Sequence, residues 1–280
     1  MTPLQKLRTI MLLPVLVLRA LLSGRRIADP SGRGTITCTT YGPRQWSSLL
    51  TLDSLSRGTV RPARVLLFLD QPHYDIRALP LSIRALRRRG VEVRLVPHDD
   101  GSFKKLPVAE SPDIGQQAPV ITVDDDTFLE RDWLAGLLRA HEGHPDTVLC
   151  YRARRIVLDQ GGGFAPYQTW PVVMEEETSR HLMPTGMGGI LYPPRAIEAI
   201  RRKGTGFRGL VSNCDDLWFR FCTLEVGMPV RLLRPASRPL KKIPFTQSRA
   251  LWRSNVSGPA NDQAIAVLRP LFDLRRLEAA

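Results

Sequence analysis

Val120-Ile-Thr-Val-Asp-Asp-Asp-Thr-Phe128 is a short β-branched, apolar run that stops at three consecutive aspartates. Its four leading residues read as a buried strand, Val120–Val123. Ligands of open α/β sheets bind beyond the carboxyl ends of the strands, which is where the triplet falls. Side chains alternate along a strand, so Asp124 and Asp126 are expected to face one site while Asp125 points back into the sheet. Three adjacent carboxylates repel one another unless a cation or hydrogen-bond donors offset the charge. Hard oxygen ligands on such a loop suit Mg²⁺ or Mn²⁺ together with a bound diphosphate. The plain alternative is an acidic cap on a following helix, by Asp126 or Thr127. Capping accounts for one aspartate, not three.

The flanking sequence alternates strands and helices. Thr35–Thr40 is a β-branched first strand, and Tyr41-Gly-Pro-Arg44 is a loop. Trp46–Ser56 carries leucines at helical spacing. Arg64–Leu69 is a buried strand ending at Asp70, Leu79–Arg89 a helix with a basic face, and Val91–Val96 a third strand. After the triplet come a helix over Asp132–His141 and a strand over Thr147–Tyr151. This β-α-β-α-β order predicts an α/β fold with a mostly parallel sheet and helices on both faces. From about residue 160 the chain is less regular and richer in Gly and Pro, as in a substrate-binding half.

With 280 residues, 43% hydrophobic and 24% charged, the composition excludes a disordered chain, a collagen and a polytopic membrane protein. The four cysteines lie far apart with no CxxC, which argues against a zinc site and fits a reducing compartment. A net charge of +13 favours anionic partners such as nucleic acid, anionic lipid or phosphorylated small molecules. Only six of the forty cations are lysine, and arginine-rich composition also follows from coding bias. Residues 1–26 hold Lys6, Arg8, Arg19, Arg25 and Arg26, with no acid, around the apolar run Ile10–Leu18. That run is too short for a bilayer span, which needs about 20 residues. A cleavable signal fits poorly, because Arg25-Arg26 directly follow Ser23-Gly24. A basic helix lying in the membrane interface is expected, with a helix packed on the domain as the alternative. The domain division is 1–30 for this segment and 31–280 for one catalytic domain, split into a nucleotide-binding half, 31–160, and an acceptor-binding half, 161–280.

The segment VITVDDDTF resembles the DxD element of nucleotide-sugar glycosyltransferases with the GT-A fold. Thr37–Arg44, Leu52–Leu69, Ser102–Leu106, Pro184–Pro194, Asn213-Cys-Asp-Asp-Leu-Trp-Phe219 and Asn261–Ile265 resemble, in order, further motifs of a bacterial, polysaccharide-forming branch. Together they cover roughly residues 34–268. The resemblance implies a single-domain, Rossmann-like GT-A sheet and a metal-dependent hexosyltransferase. Its cofactor would be Mn²⁺ or Mg²⁺ and its donor a nucleotide sugar, UDP-linked by preference. Asp124 would contact ribose or share the metal, Asp126 would ligate it, and Asp125 would lie beside the donor. Thr39, Thr40 and Arg44 sit where the first strand opens toward the nucleotide, although Arg44 also reads as a surface arginine. Asp70 would bond the nucleoside or simply close a turn. Lys104 and Lys105 offer point charges to phosphate, Lys105 the better placed, or form a solvated pair.

Gly186, Gly188 and Gly189 allow backbone to approach a sugar closely. An inverting transfer needs a base for the acceptor hydroxyl, a role the resemblance gives to Asp216, with Asp215 as runner-up. The plainer reading has Asn213 or Asp215 capping a helix over Leu217–Leu224. Trp218 either stacks on a sugar or belongs to the core. His181 reads mainly as structural, Glu175–Glu177 as a solvated loop or helix start, and Asn255-Val-Ser257 as a sequon that a cytoplasmic enzyme never uses. The implied acceptor is lipid-linked or polysaccharide, at the inner face of the cell membrane, with an anionic membrane surface as partner. A basic nucleic-acid-binding protein lacks support, because no zinc finger, RNP1 or helix-turn-helix is present. A sugar-phosphate nucleotidyltransferase would need a Gly-rich nucleotide loop, which Tyr41-Gly-Pro-Arg44 does not resemble.

Overall fold

The computed structural model describes residues 3–233, 241–246, 259–273 and 277, with side chains from residue 10 onward. The Asn255-Val-Ser257 sequon lies outside the described residues. The first half runs α1 (Pro3–Leu22), β1 (Thr35–Thr39), α2 (Gln45–Leu55), β2 (Arg64–Asp70), α3 (Leu81–Arg88), β3 (Glu92–Val96) and β4 (Val120–Val123). It continues through β5 (Thr127–Phe128), α4 (Trp133–Gly143), β6 (Val148–Cys150) and β7 (Ala153–Arg155). The second half contributes β8 (Glu177–Ser179), β9 (Leu182–Pro184), β10 (Ile190–Tyr192), α5 (Pro194–Lys203), α6 (Asp215–Glu225), β11 (Val230–Leu232), β12 (Lys241–Lys242) and α7 (Ala260–Leu268).

One eight-stranded sheet joins both halves in the order β3-β2-β1-β4-β10-β6-β11-β8. The four strands β3, β2, β1 and β4 are mutually parallel, as right-handed helical crossovers require. β10 enters antiparallel between β4 and β6, and β11 returns parallel to β6. The sheet is therefore mixed, with a parallel half built by the first four strands in the order β3-β2-β1-β4, as expected. Alternation sorts its side chains onto two cores. Val65, Leu67, Leu69, Ile121 and Val123 pack beneath α1–α4, whereas Leu66, Phe68 and Val120 face the core shared with α5–α7.

Helix α1 departs from the expected free interfacial segment. Leu13, Leu16, Val17, Ala20 and Leu21 pack against the core under α2 and α3. Arg88 donates to Leu21 O, and buried Arg89 donates to Ala20 O and Arg25 O while pairing with Asp53 at 2.9 Å. These donors satisfy carbonyls at the C-terminal end of α1, which a helix leaves without partners. The opposite face stays in solvent: Met11 (72% exposed), Val15, Leu18 and Leu22 (75%) recur at helical spacing. No helix among the described residues is long and apolar enough to cross a membrane.

Candidate active site

The site forms where the ends of β1, β2 and β4 meet the start of α6. The triplet does not cap a helix: β5 follows it, and α4 begins only at Trp133. Backbone turns directly after β4, and the three aspartates are held by three cations, Lys105, Arg44 and Lys242. Asp124, the most exposed of the three at 26%, accepts from Lys105 Nζ at 2.8 Å. Asp125 accepts from Thr40 Oγ1 at 2.6 Å and from Arg44 Nε at 2.9 Å. Asp126 is paired with Lys242 Nζ at 3.0 Å and Arg44 Nη2 at 3.2 Å. Arg44 is thus a half-buried clamp on two carboxylates, and its guanidinium sits 5.8 Å over Tyr41. Burial raises the Asp125 carboxyl above its ordinary value despite Arg44.

Lys104 and Lys105 are both buried, which removes the reading as a solvated pair. They stand on a 3-10 turn, Gly101–Lys105, held by Phe103, whose ring stacks on Phe207 at 3.9 Å and meets Phe219 edge-on. Lys104 pairs with Asp70 at the end of β2 and with Asp99 at 2.6 Å. Burial works to raise the Asp70 carboxyl, but hydrogen bonds from Lys104 and His73 outweigh it and hold it below its usual value. Lys105 turns the other way and bridges Asp124 to Asp215, whose Oδ2 lies 2.9 Å from its ammonium.

Asn213 adopts φ 55°, a left-handed conformation that asparagine tolerates, and its Oδ1 accepts from Ser102 N at 3.1 Å. The start of α6 is thereby tied to the lysine turn. Neither Asn213 nor Asp215 caps α6. Cys214 holds the cap position without a side-chain bond, and both aspartates lie in the first turn. Asp215 is buried, whereas Asp216 is half-buried and accepts from Gly186 N at 2.7 Å. Three carboxylates, Asp124, Asp215 and Asp216, therefore surround one lysine. Burial and the Asp215 charge push the Asp216 carboxyl up to about 7, against the pull of Lys105.

Other expected residues sit elsewhere. A side chain on Gly186 would meet Asp124 Oδ1 at 2.9 Å and Lys105 Nζ at 3.1 Å, so glycine keeps this backbone in the site. Gly188 and Gly189 instead serve the Trp133 indole. Gly188 O accepts from its Nε1 at 2.6 Å, and a Cβ on Gly189 would lie 2.5 Å from its ring. Trp218, 2% exposed, packs edge-on to Phe207 and Phe272 and belongs to the core, not to a sugar platform. Thr39 spends its hydroxyl on Phe68 O. Glu177 opens β8 and pairs with Arg155, so no helix starts there. Sequence reading missed Lys242, Arg152, Arg154, Tyr167 and Thr185. Arg152 and Arg154 are two among thirty-four arginines, which hid them.

A divalent cation would meet Asp124 first, since its side chain is partly exposed, whereas Asp126 is buried and paired with both Lys242 and Arg44. Among the described residues, the one trio with ligand atoms close enough to hold an ion is Asp70, His73 and Asp99, which Lys104 already occupies with its charge, and His181 is not part of it. No family model matches the chain, and no curated protein matches it. The chain is similar to a solved structure of S. aureus TarS 1–349, with a TM-score of 0.47 and 15% identity. The match covers 71% of this chain and spans 57% of that one.

Proposed function

We propose that this protein is a metal-dependent glycosyltransferase that moves a hexose from a nucleotide sugar to a lipid-linked or polysaccharide acceptor, with inversion. The observation that carries the reading is the convergence of the strand-end triplet and the α6 pair on Lys105, which leaves Asp216 as a reachable carboxyl near pH 7. A general base works best with a pKa near the operating pH, and Asp216 meets that condition while Asp215 is tied to Lys105. Asp216 takes the acceptor hydroxyl proton as that oxygen bonds the anomeric carbon. The bond from that carbon to the diphosphate breaks, and the nucleoside diphosphate departs. Lys105, relieved of Asp124, supplies positive charge near the leaving oxygens. Mn²⁺ or Mg²⁺ held by Asp124, with Asp126 as second carboxylate, would neutralise that diphosphate. Arg44, Thr40, Asp125 and Asp70 would line the nucleoside side, UDP being the donor favoured by resemblance.

A peripheral position on the cytoplasmic face of the membrane suits such an acceptor. The exposed apolar stripe of α1, flanked by exposed Arg19, Arg25, Arg26, Arg84, Arg87 and Arg88, supports an anionic bilayer as the surface it meets. Calorimetry with UDP tests the donor site. Binding should require Mn²⁺ or Mg²⁺ and fall at least about tenfold in Asp126→Ala. Binding that persists in chelator would contradict the metal role.

A further inference from the structure

Around the site nearly every cation answers a carboxylate: Lys104 with Asp70, Lys105 with Asp124, Arg44 with Asp125, Lys242 with Asp126. Arg152 and Arg154 are the exception. They flank Ala153, Arg152 directly before β7 and Arg154 within it, and lie close enough to feel each other's charge and to act together on Tyr167. Neither has an ion-pair partner among the described residues. Arg152 Nη1 donates to Thr185 Oγ1 at 2.9 Å, and Thr185 directly precedes Gly186, whose N–H holds Asp216. Arg154 Nη1 donates to Trp170 O at 2.5 Å, with its Cζ 5.3 Å over the Tyr167 ring. A guanidinium carries five N–H donors, so most remain unspent. Both side chains are half-buried, not enclosed.

Buried Arg220 offers the contrast. It also lacks a carboxylate, but both its terminal nitrogens donate, to Arg180 O, Met228 O and Thr223 Oγ1, which makes it a cross-brace in the core with only Nε left over. Arg152 is only partly enclosed. Its burial and then the charge of Arg154 hold its pKa below the usual arginine value, while Asp216 opposes them. Tyr167, whose hydroxyl burial and Asp216 push up to about 12, shares the same field. Two like charges set side by side at a half-open site favour an incoming anion, and a guanidinium fork matches carboxylate or phosphate in two bonds.

We propose that Arg152 and Arg154 form an anion subsite that grips a carboxylate or phosphate group on the saccharide bound beside Asp216. The saccharide rests on the transferase reading; the anion does not. The group belongs either to the donor sugar, as a uronate, or to the acceptor.

Calorimetry with Mn²⁺ present separates the two sources. The donor arm compares UDP-glucuronate with UDP-glucose. The acceptor arm, with UDP bound, compares methyl glucuronide with methyl glucoside and glycerol 3-phosphate with glycerol. In one arm the charged ligand should bind at least about tenfold tighter than its neutral partner. That preference should fall below about threefold in Arg152→Gln and in Arg154→Gln, and survive in part in Arg152→Lys, with melting temperatures confirming that each variant folds. Equal binding of charged and neutral ligands in both arms, or a preference unchanged in both glutamine variants, would overturn the subsite. UDP binding without charge preference rejects the subsite and leaves the transferase reading standing. If UDP does not bind, the acceptor pairs are measured without it, and a charge preference there keeps the subsite while the transferase reading fails.

Discussion

Lys105 is the residue at which the two acidic motifs meet, and its removal is the severest single change the site offers. With its ammonium gone, Asp124, Asp215 and Asp216 are left facing one another inside the protein. Breaking a buried pair from one side typically costs about 3–5 kcal/mol. Lys105→Met should therefore lower the melting temperature by many degrees at pH 7.5, and much less near pH 4, where the carboxylates take up protons. A variant as stable as wild type at both pH values would show that the pairing is unimportant. Asp216 makes a separate prediction. Its carboxyl is raised from 3.8 to about 7, so its stabilising contribution is complete below pH 4 and is lost as pH rises through 7. Asp216→Asn should accordingly melt higher than wild type at pH 8, with the gap closing toward pH 4. Catalysis runs the opposite way: kcat/KM should climb as pH passes about 7, because the base must first lose its proton.

At the level of elements, the parallel half was legible because its strands and helices are long enough to show their periods. β1, β2, β4 and α2 fall within a residue or two of the positions that alternation and leucine spacing indicate. β6 falls inside the strand expected over Thr147–Tyr151, but β7 to β10 are three residues each, too short for any period, and β10 reverses direction between neighbours far away in sequence. The acidic motifs were equally plain, but their partners were not. Arg44 reaches Asp125 across 81 positions and Lys242 reaches Asp126 across 116, pairings that only the folded chain brings together. The cap expected of Asn213 failed for a related reason, since its side-chain oxygen is turned to Ser102 N in another element. Helix α1 packs one face on the domain, the alternative reading of the segment, and leaves the other face exposed. Serine at Met11, Val15, Leu18 and Leu22 should reduce sedimentation with phosphatidylglycerol vesicles at least about tenfold, because each apolar side chain withdrawn from water is worth up to about 1.5–3 kcal/mol. The melting temperature should barely move, as these side chains are solvent-exposed. Unchanged vesicle binding would assign the stripe no lipid role.

Across the whole molecule the net charge is +13, yet the centre is acidic, with Lys105, Arg44 and Lys242 holding its aspartates in place. Under the proposed function, substrate and metal would exchange with these internal cations on binding. Besides the triplet, the α6 pair Asp215 and Asp216 lies at the site, and the proposed function asks of it only the base of a single in-line displacement. The direct measurement is proton NMR of reactions with a panel of α-linked nucleotide sugars, with Mn²⁺ and a membrane-derived acceptor, in wild type and Asp216→Asn. The proposed function predicts a β-linked product from at least one donor in wild type, with turnover about 10²–10⁴-fold lower in Asp216→Asn. An α-linked product, or turnover that Asp216→Asn leaves intact, would contradict it.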